Sequence, residues 1–293
     1  MDMALHGSVK FGVLGPVGIS VAGHPLPLPA AKMRCLTAAL ALCHGRVLSA
    51  ARLTEALWNN DPPVSAQKNL HQYVHRLRGL LADHGLGDRL VRRPAGYLLR
   101  MQPGELDLDR FESLTAVGRH ARDQGDLPFA ARSLAEALAV WRDDALADVR
   151  SSLVLDEAAQ ALAEQRLSVV EERIAVDLRL GRYAALVPEL ATLAAAHPLR
   201  ERLREFQMLA LYASGRKADA LAVYQDCRLA LARDLGIGPG PALGELLSAV
   251  LADDAAALAS RLSPRTERPR DAIRPSQRRG RRSQPRLMGR SRP

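Results

Sequence analysis

The chain has 293 residues, room for two domains, and a formal net charge of +9. No run approaches the roughly eighteen apolar residues that a spanning helix needs, and no cleavable signal stands out, so a cytoplasmic protein without a membrane partner is expected. Three cysteines, Cys35, Cys43 and Cys227, lack paired metal spacing and fit a reducing compartment as small core residues.

The charge is segregated. Residues 1–104 hold 12 Lys/Arg against 5 Asp/Glu, residues 105–260 hold 17 against 25, and residues 261–293 hold 12 against 2. A basic head, an acidic middle and an arginine-rich tail point to an anionic polymer at one end and a protein partner in the middle.

At the N-terminus Val9, Phe11 and Val13 alternate, Gly15-Pro16 turns, and Val17, Ile19 and Val21 alternate again. Leu26 and Leu28, between prolines after Ala22-Gly23-His24, suit a short edge strand. The period of two and the interrupting glycines predict a small antiparallel sheet where a signal peptide could be suspected. A first helix is expected over about 30–44, with Lys32 and Arg34 at its start.

Ser49 stands at an N-cap position before Leu53, Ala56, Leu57 and Trp58, a helical apolar face. Asn59-Asn60-Asp61-Pro62-Pro63 stops that helix, because proline restricts its predecessor and cannot continue the ladder. Ser65 is a second N-cap position, and residues 65–82 then form a long helix with two unlike stripes. Leu70, Tyr73, Val74, Leu77, Leu80 and Leu81 share the buried face. Lys68, His71, Gln72, His75 and Arg78 recur on the other side, with no acid among them. Ordinary surface helices mix charges of both signs, since opposite pairs one turn apart are mildly stabilising. A row of cations, imidazoles and amides suits phosphates and base edges in a major groove.

Two helices joined by a short breaker, the second one basic, follow the helix-turn-helix plan. Asp88–Arg93 and Tyr97–Arg100 then flank Pro94-Ala95-Gly96 as a hairpin with Arg92 and Arg93 near its tip. A basic hairpin beside a recognition helix is a wing. The expected base-facing residues are Lys68, His71, Gln72 and His75; Arg76, Arg78, Arg92 and Arg93 are expected on the DNA backbone. The competing reading is a solvated helix that lacks acids.

From Leu106 to about Asp253 the chain is rich in Ala and Leu, with helix breaks at Gly125-Asp126, Gly181-Arg182 and Gly215-Arg216. Gly181 and Gly215 are 34 residues apart, the tetratricopeptide period. Around Gly215 the pattern continues with Ala220, Tyr224 and Cys227; Pro198 closes the unit before it. Gly125 lies 56 residues before Gly181, so the stretch Leu153–Leu180 must depart from a simple array. An array of this kind buries its Leu faces between neighbours and leaves a concave surface for a protein segment. Residues 261–293 have too little apolar surface to offset chain entropy and are expected to be disordered, either adding unspecific DNA affinity or serving no purpose.

Enzymatic motifs are absent: there is no GxxxxGK[ST], HExxH, CxxC or GxSxG. His71 and His75, one turn apart, could share a metal, but their basic neighbours favour DNA. Gly236-Ile237-Gly238-Pro239-Gly240 follows a helix and reads as a helix stop. No catalytic residue, cofactor or metal is expected.

A small N-terminal sheet, three helices and a hairpin resemble the OmpR-type winged helix. The stretches FGVLGPVGISVAGHPLPLP, ALW, DPP, QYVHRLRGLL and RRPAGYLL resemble, more narrowly, the Streptomyces antibiotic regulatory protein family. LAVWRDDALADV, AAHPLRERLREFQMLALYASGRKADALAVYQ and DLGIGPGPALGELLSAVL resemble that family's bacterial transcriptional activation domain. The resemblance implies a mainly α chain: a winged helix over 1–104, an all-α tetratricopeptide-like domain over 105–254 and the basic tail over 261–293. It implies a transcriptional activator of an antibiotic cluster that binds promoter direct repeats in double-stranded DNA, as a homodimer, and contacts RNA polymerase. Charge suggests that the acidic array is dispensable for recognising the promoter. A protein-interaction scaffold, or a repressor with the same head, remains the alternative.

Overall fold

The computed structural model describes residues 9–59, 61–149 and 152–262. Strands β1 (Val9–Gly12), β2 (Gly18–Val21) and β3 (His24–Pro25) pair antiparallel in that order, with Phe11 opposite Ile19. The alternation puts Val9, Phe11 and Ile19 into the core. The first turn is longer than Gly15-Pro16, because Val13, Leu14 and Val17 leave the ladder and are buried too. The third strand is only His24–Pro25, at the place of the expected turn, and the expected strand residues Leu26 and Leu28 lie beyond it, buried but outside the ladder.

Helices α1 (Ala31–Leu42), α2 (Ala50–Trp58) and α3 (Ala66–Ala82) follow, then the hairpin β4 (Leu90–Arg93) and β5 (Gly96–Leu99). Ser49 caps α2, its Oγ accepting the Arg52 amide at 3.2 Å. Ser65 occupies the corresponding place before α3 but does not cap it. Its backbone is not extended, at φ −86 and ψ 9, and its Oγ accepts from Asn69 Nδ2 at 3.0 Å instead. The wing turn is also tighter than expected. Gly96 lies in β5 opposite Arg93, which leaves Pro94-Ala95 as the turn.

Gly96 has φ +148, and a Cβ there would come 1.9 Å from the Leu48 carbonyl oxygen. Its bare backbone lets Leu48 pair with Tyr97, the two amides donating to each other's carbonyls at 2.8 Å. This bridge ties the wing to the entry of α2.

The helical array comprises α4 (Asp107–Asp123), α5 (Leu127–Leu138), α6 (Leu153–Arg179), α7 (Tyr183–Ala196), α8 (Glu201–Ala213), α9 (Lys217–Leu235), α10 (Pro241–Leu251) and α11 (Ala255–Leu262). Gly125, Gly181 and Gly215 sit at positive φ in the turns of the pairs α4/α5, α6/α7 and α8/α9. Helix α6 accounts for the irregular spacing. It has 27 residues, and its N-terminal half reaches back to pack on α1 and α2. Arg261 and Leu262, expected in the disordered tail, close α11; the rest of that tail lies outside the described residues.

Head and array share one core. A continuous apolar cluster runs from Val9 and Phe11, through Leu53, Leu70 and Leu77, to Phe111, Leu134, Leu155, Leu162 and Val176. Polar contacts reinforce it. The Asp107 carboxylate accepts the amides of Val13 at 2.9 Å and Leu14 at 3.0 Å, and Arg142 at 3.0 Å. Two smaller clusters lie within the array, one around Met208, Cys227 and Leu246, the other around Ile174, Leu190 and Phe206. Among the described residues no helix is long and apolar enough to cross a membrane.

Candidate nucleic-acid interface

The interface is built on α3. Leu70, Val74, Leu77 and Leu81 are at most 3% exposed and seat one side of the helix on α1 and α2. Tyr73 and Leu80, partly buried, widen that seat. Tyr73 leans on Trp58 with ring centroids 6.3 Å apart, and Lys32 lies over the Trp58 ring while donating to the Leu57 carbonyl. Buried apolar side chains of this size contribute about 1.5–3 kcal/mol each, so the rotation of α3 is firmly set. What it presents outward is therefore fixed as well.

Lys68, His71, Gln72, His75 and Arg76 are exposed and line one open surface depression, together with Gln67. Gln67 was missed in the sequence, although it lies four residues before His71 and hence on the same row. No Asp or Glu occurs within residues 66–82. The depression offers amide, imidazole, ammonium and guanidinium groups together, a set that can both donate to and accept from base edges.

Arg78 departs from the expected row. It is half-buried, and its Nε–H donates to the Leu90 carbonyl at 3.1 Å, so it braces β4 against α3. That bond removes one of the guanidinium's donors from any phosphate. Arg92 and Arg93 are exposed at the end of β4. Adjacent strand residues point to opposite faces: Arg92 shares the face of Leu90 and Tyr97, Arg93 the outer one. The wing thus presents its two cations in different directions.

The array uses much of its charge internally. Glu171 and Asp177 on α6 are buried. Glu171 accepts from Arg200 at 2.6 Å; Asp177 accepts from Arg173 and Arg182, each at 2.7 Å. The Arg200 guanidinium also holds the Glu164 carboxyl below the usual carboxylate range. Among the described residues no group of three or more His, Cys, Asp or Glu side chains could hold a metal.

Two family models match the chain. That described as the bacterial transcriptional activator domain covers residues 106–251, and that described as the C-terminal region of transcriptional regulatory proteins covers 23–99. The regulatory protein AfsR of Streptomyces coelicolor is 43% identical over 272 residues, 92% of this chain but 27% of that protein. The regulatory protein DnrI of Streptomyces peucetius is 36% identical over 84% of this chain and 93% of its own length. A solved structure of Mycobacterium tuberculosis EmbR, in complex with a low-affinity phosphopeptide, superposes with a TM-score of 0.82 at 34% identity. It covers 87% of this chain and 68% of the EmbR chain. This chain spans about a quarter of the length of the AfsR relative.

Proposed function

The chain belongs to the Streptomyces antibiotic regulatory protein family of transcriptional regulators, and from that premise we propose that it is a promoter-binding activator of a secondary-metabolite gene cluster. One observation carries this reading: the exposed, acid-free face of α3, held in a fixed orientation by its buried leucines. In the proposed complex α3 enters a major groove. There Gln72 suits the paired donor and acceptor of adenine, Lys68 the acceptors of guanine, and His71 and His75 either partner on the same row. Arg76, Arg92 and Arg93 neutralise phosphates, and Arg78 contributes through the donors that its bond to Leu90 leaves over.

A homodimer on direct repeats places two such helices on one side of the duplex, about one helical turn or a multiple of it apart. The region 105–254 then turns toward RNA polymerase. The reading needs no catalytic residue, cofactor or metal, and it puts the protein on the nucleoid in the cytoplasm. Immunoprecipitation of the full chain from cells, with sequencing of the bound DNA, tests it. Promoter fragments sharing a repeated element support the proposal. Recovery of unselected DNA, or of none, sinks it and favours a scaffold.

A further inference from the structure

Helix α11 lies just beyond residue 251, where the match to the activator domain ends. It does not simply extend the stack. It packs against α10 and also reaches back to α6, the first helix of the pair α6/α7. Its Leu258 is 5% exposed and belongs to one apolar cluster with Met208, Leu209 and Leu211 of α8, Cys227 of α9 and Leu246 of α10. Helix α8 packs between α6 and α10, so a helix that touches both α6 and α10, and whose leucine shares a cluster with α8, crosses the face that these three helices form. That is the surface on which arrays of this kind hold protein segments.

Polar bonds at both ends of α11 add to this apolar contact. Asp253, in the turn before it, accepts from Lys217 Nζ at 2.7 Å and the Tyr212 hydroxyl at 3.1 Å. Asp254 caps the helix through the Ala257 amide at 2.9 Å. Arg261 donates to the Ala242 carbonyl at 3.1 Å and to Glu245 at 2.8 Å. Against these stand an eight-residue helix, too short to persist alone, and a left-handed Asp253 at φ +51. Ala255, Ala256, Ala259 and Ser260 are exposed. Among the described side chains, Ala257 and Leu258 seat this short helix in the apolar cluster, and so short an element past the end of the matched domain is of the kind that opens locally.

We propose that the shared face of α6, α8 and α10 is a docking groove for a short amphipathic helix, and that α11 is its resident occupant, which a partner's helix displaces. The groove defines that helix chemically. It carries small residues, a leucine in the place of Leu258, and a cation three residues later that answers Glu245, as Arg261 does.

The test uses the full chain and a fluorescent peptide of residues 252–262. Wild type binds the peptide poorly, because its own α11 occupies the groove at an effective concentration on the order of millimolar. Leu258→Asp and, independently, Arg261→Glu release α11, and each raises peptide affinity about tenfold or more over wild type. The pair Glu245→Arg with Arg261→Glu restores the latch with reversed charges and returns binding to the wild-type level. Circular dichroism melting confirms that the rest of each variant is folded. Absence of binding to the folded Arg261→Glu protein would overturn the proposal and leave α11 as a terminal cap. Equal binding by wild type and the released variants would overturn it too.

Discussion

Arg89 and Glu105 form a two-pronged ion pair, Nη1 to Oε2 at 2.9 Å and Nη2 to Oε1 at 2.8 Å, that joins the segment before the wing to the entry of α4. Both side chains are largely buried, and Glu105 also accepts the Gln102 amide at 2.6 Å and gives its own carbonyl to Phe11 at 2.8 Å. Head, wing and array therefore meet at one residue, the wing through its carboxylate and the N-terminal sheet through its carbonyl. Glu105→Ala leaves a buried guanidinium without its partner, and the full chain should lose about 3 kcal/mol in a denaturant titration. Its loss should be larger than that of Arg119→Ala, whose guanidinium is far more exposed.

The same junction limits how the chain can be divided. Charge alone suggested that residues 1–104 could recognise DNA without the array. The shared core argues otherwise, because cutting there exposes the partners of Leu106, Phe111, Leu155 and Leu162. A fragment of residues 1–104 should lack a cooperative thermal transition, whereas one of residues 1–180, which retains α4 to α6, should keep it. A sharp transition in the shorter fragment would restore the two-unit picture.

Base and backbone contacts should separate in titrations. Gln72→Ala is expected to cost about 1–3 kcal/mol in discrimination between operators while the melting temperature holds. Arg76→Ala and Arg93→Ala should weaken binding to every duplex and reduce the salt slope by roughly one unit. Arg78→Ala should behave differently, lowering thermal stability by about 1 kcal/mol as well, because the bond to Leu90 is lost.

Gly96→Ala should be among the most damaging small substitutions in the head. Its Cβ would overlap the Leu48 carbonyl oxygen, so the bridge to Tyr97 or the wing itself must give way. A loss of at least about 2 kcal/mol is expected, with weaker DNA binding that parallels it. An unchanged melting temperature would show that the Leu48 pairing is dispensable.

The turn before α11 should respond to acid. Lys217, and secondarily the Tyr212 hydroxyl, hold the Asp253 carboxyl below its usual value. A depressed carboxyl contributes its stability in full above its unfolded value of about 3.9 and loses it as the pH falls through the folded value. Proteolysis between residues 252 and 262 should therefore quicken below about pH 4, and Asp253→Asn should cut faster already at neutral pH. Equal rates for both proteins at neutral pH would remove Asp253 from the anchor.

Much of this architecture is legible in the residues. The apolar steps of α3, the cap at Ser49 and the glycines at 125, 181 and 215 are local signals, and each marks its element. The exposed face of α3 was readable for the same reason, since Lys68, His71, Gln72 and His75 share one side of the helix once the buried side is known. What escaped depends on contacts distant in sequence. Leu48 meets Gly96 and Tyr97 across the fold, and nothing in its own neighbourhood announces that bridge. A helical projection places Arg78 on a flank but does not say that β4 lies beside it. Leu155, Ala159 and Leu162 read as ordinary array residues, yet they bury against the head because α6 is long enough to reach it. The AAALASRL segment of α11 adjoins an arginine-rich stretch whose composition masked it.

In vitro selection from a randomised duplex library, with full-length wild type and the Lys68→Ala/Gln72→Ala variant in parallel, addresses the open face of α3 most directly. Wild type should enrich a repeated sequence element, and the variant, with the same melting temperature, should lose that enrichment while still retaining DNA at low salt. Enrichment of the same element by both proteins, or of none by wild type, would contradict the assignment of this helix face to promoter recognition.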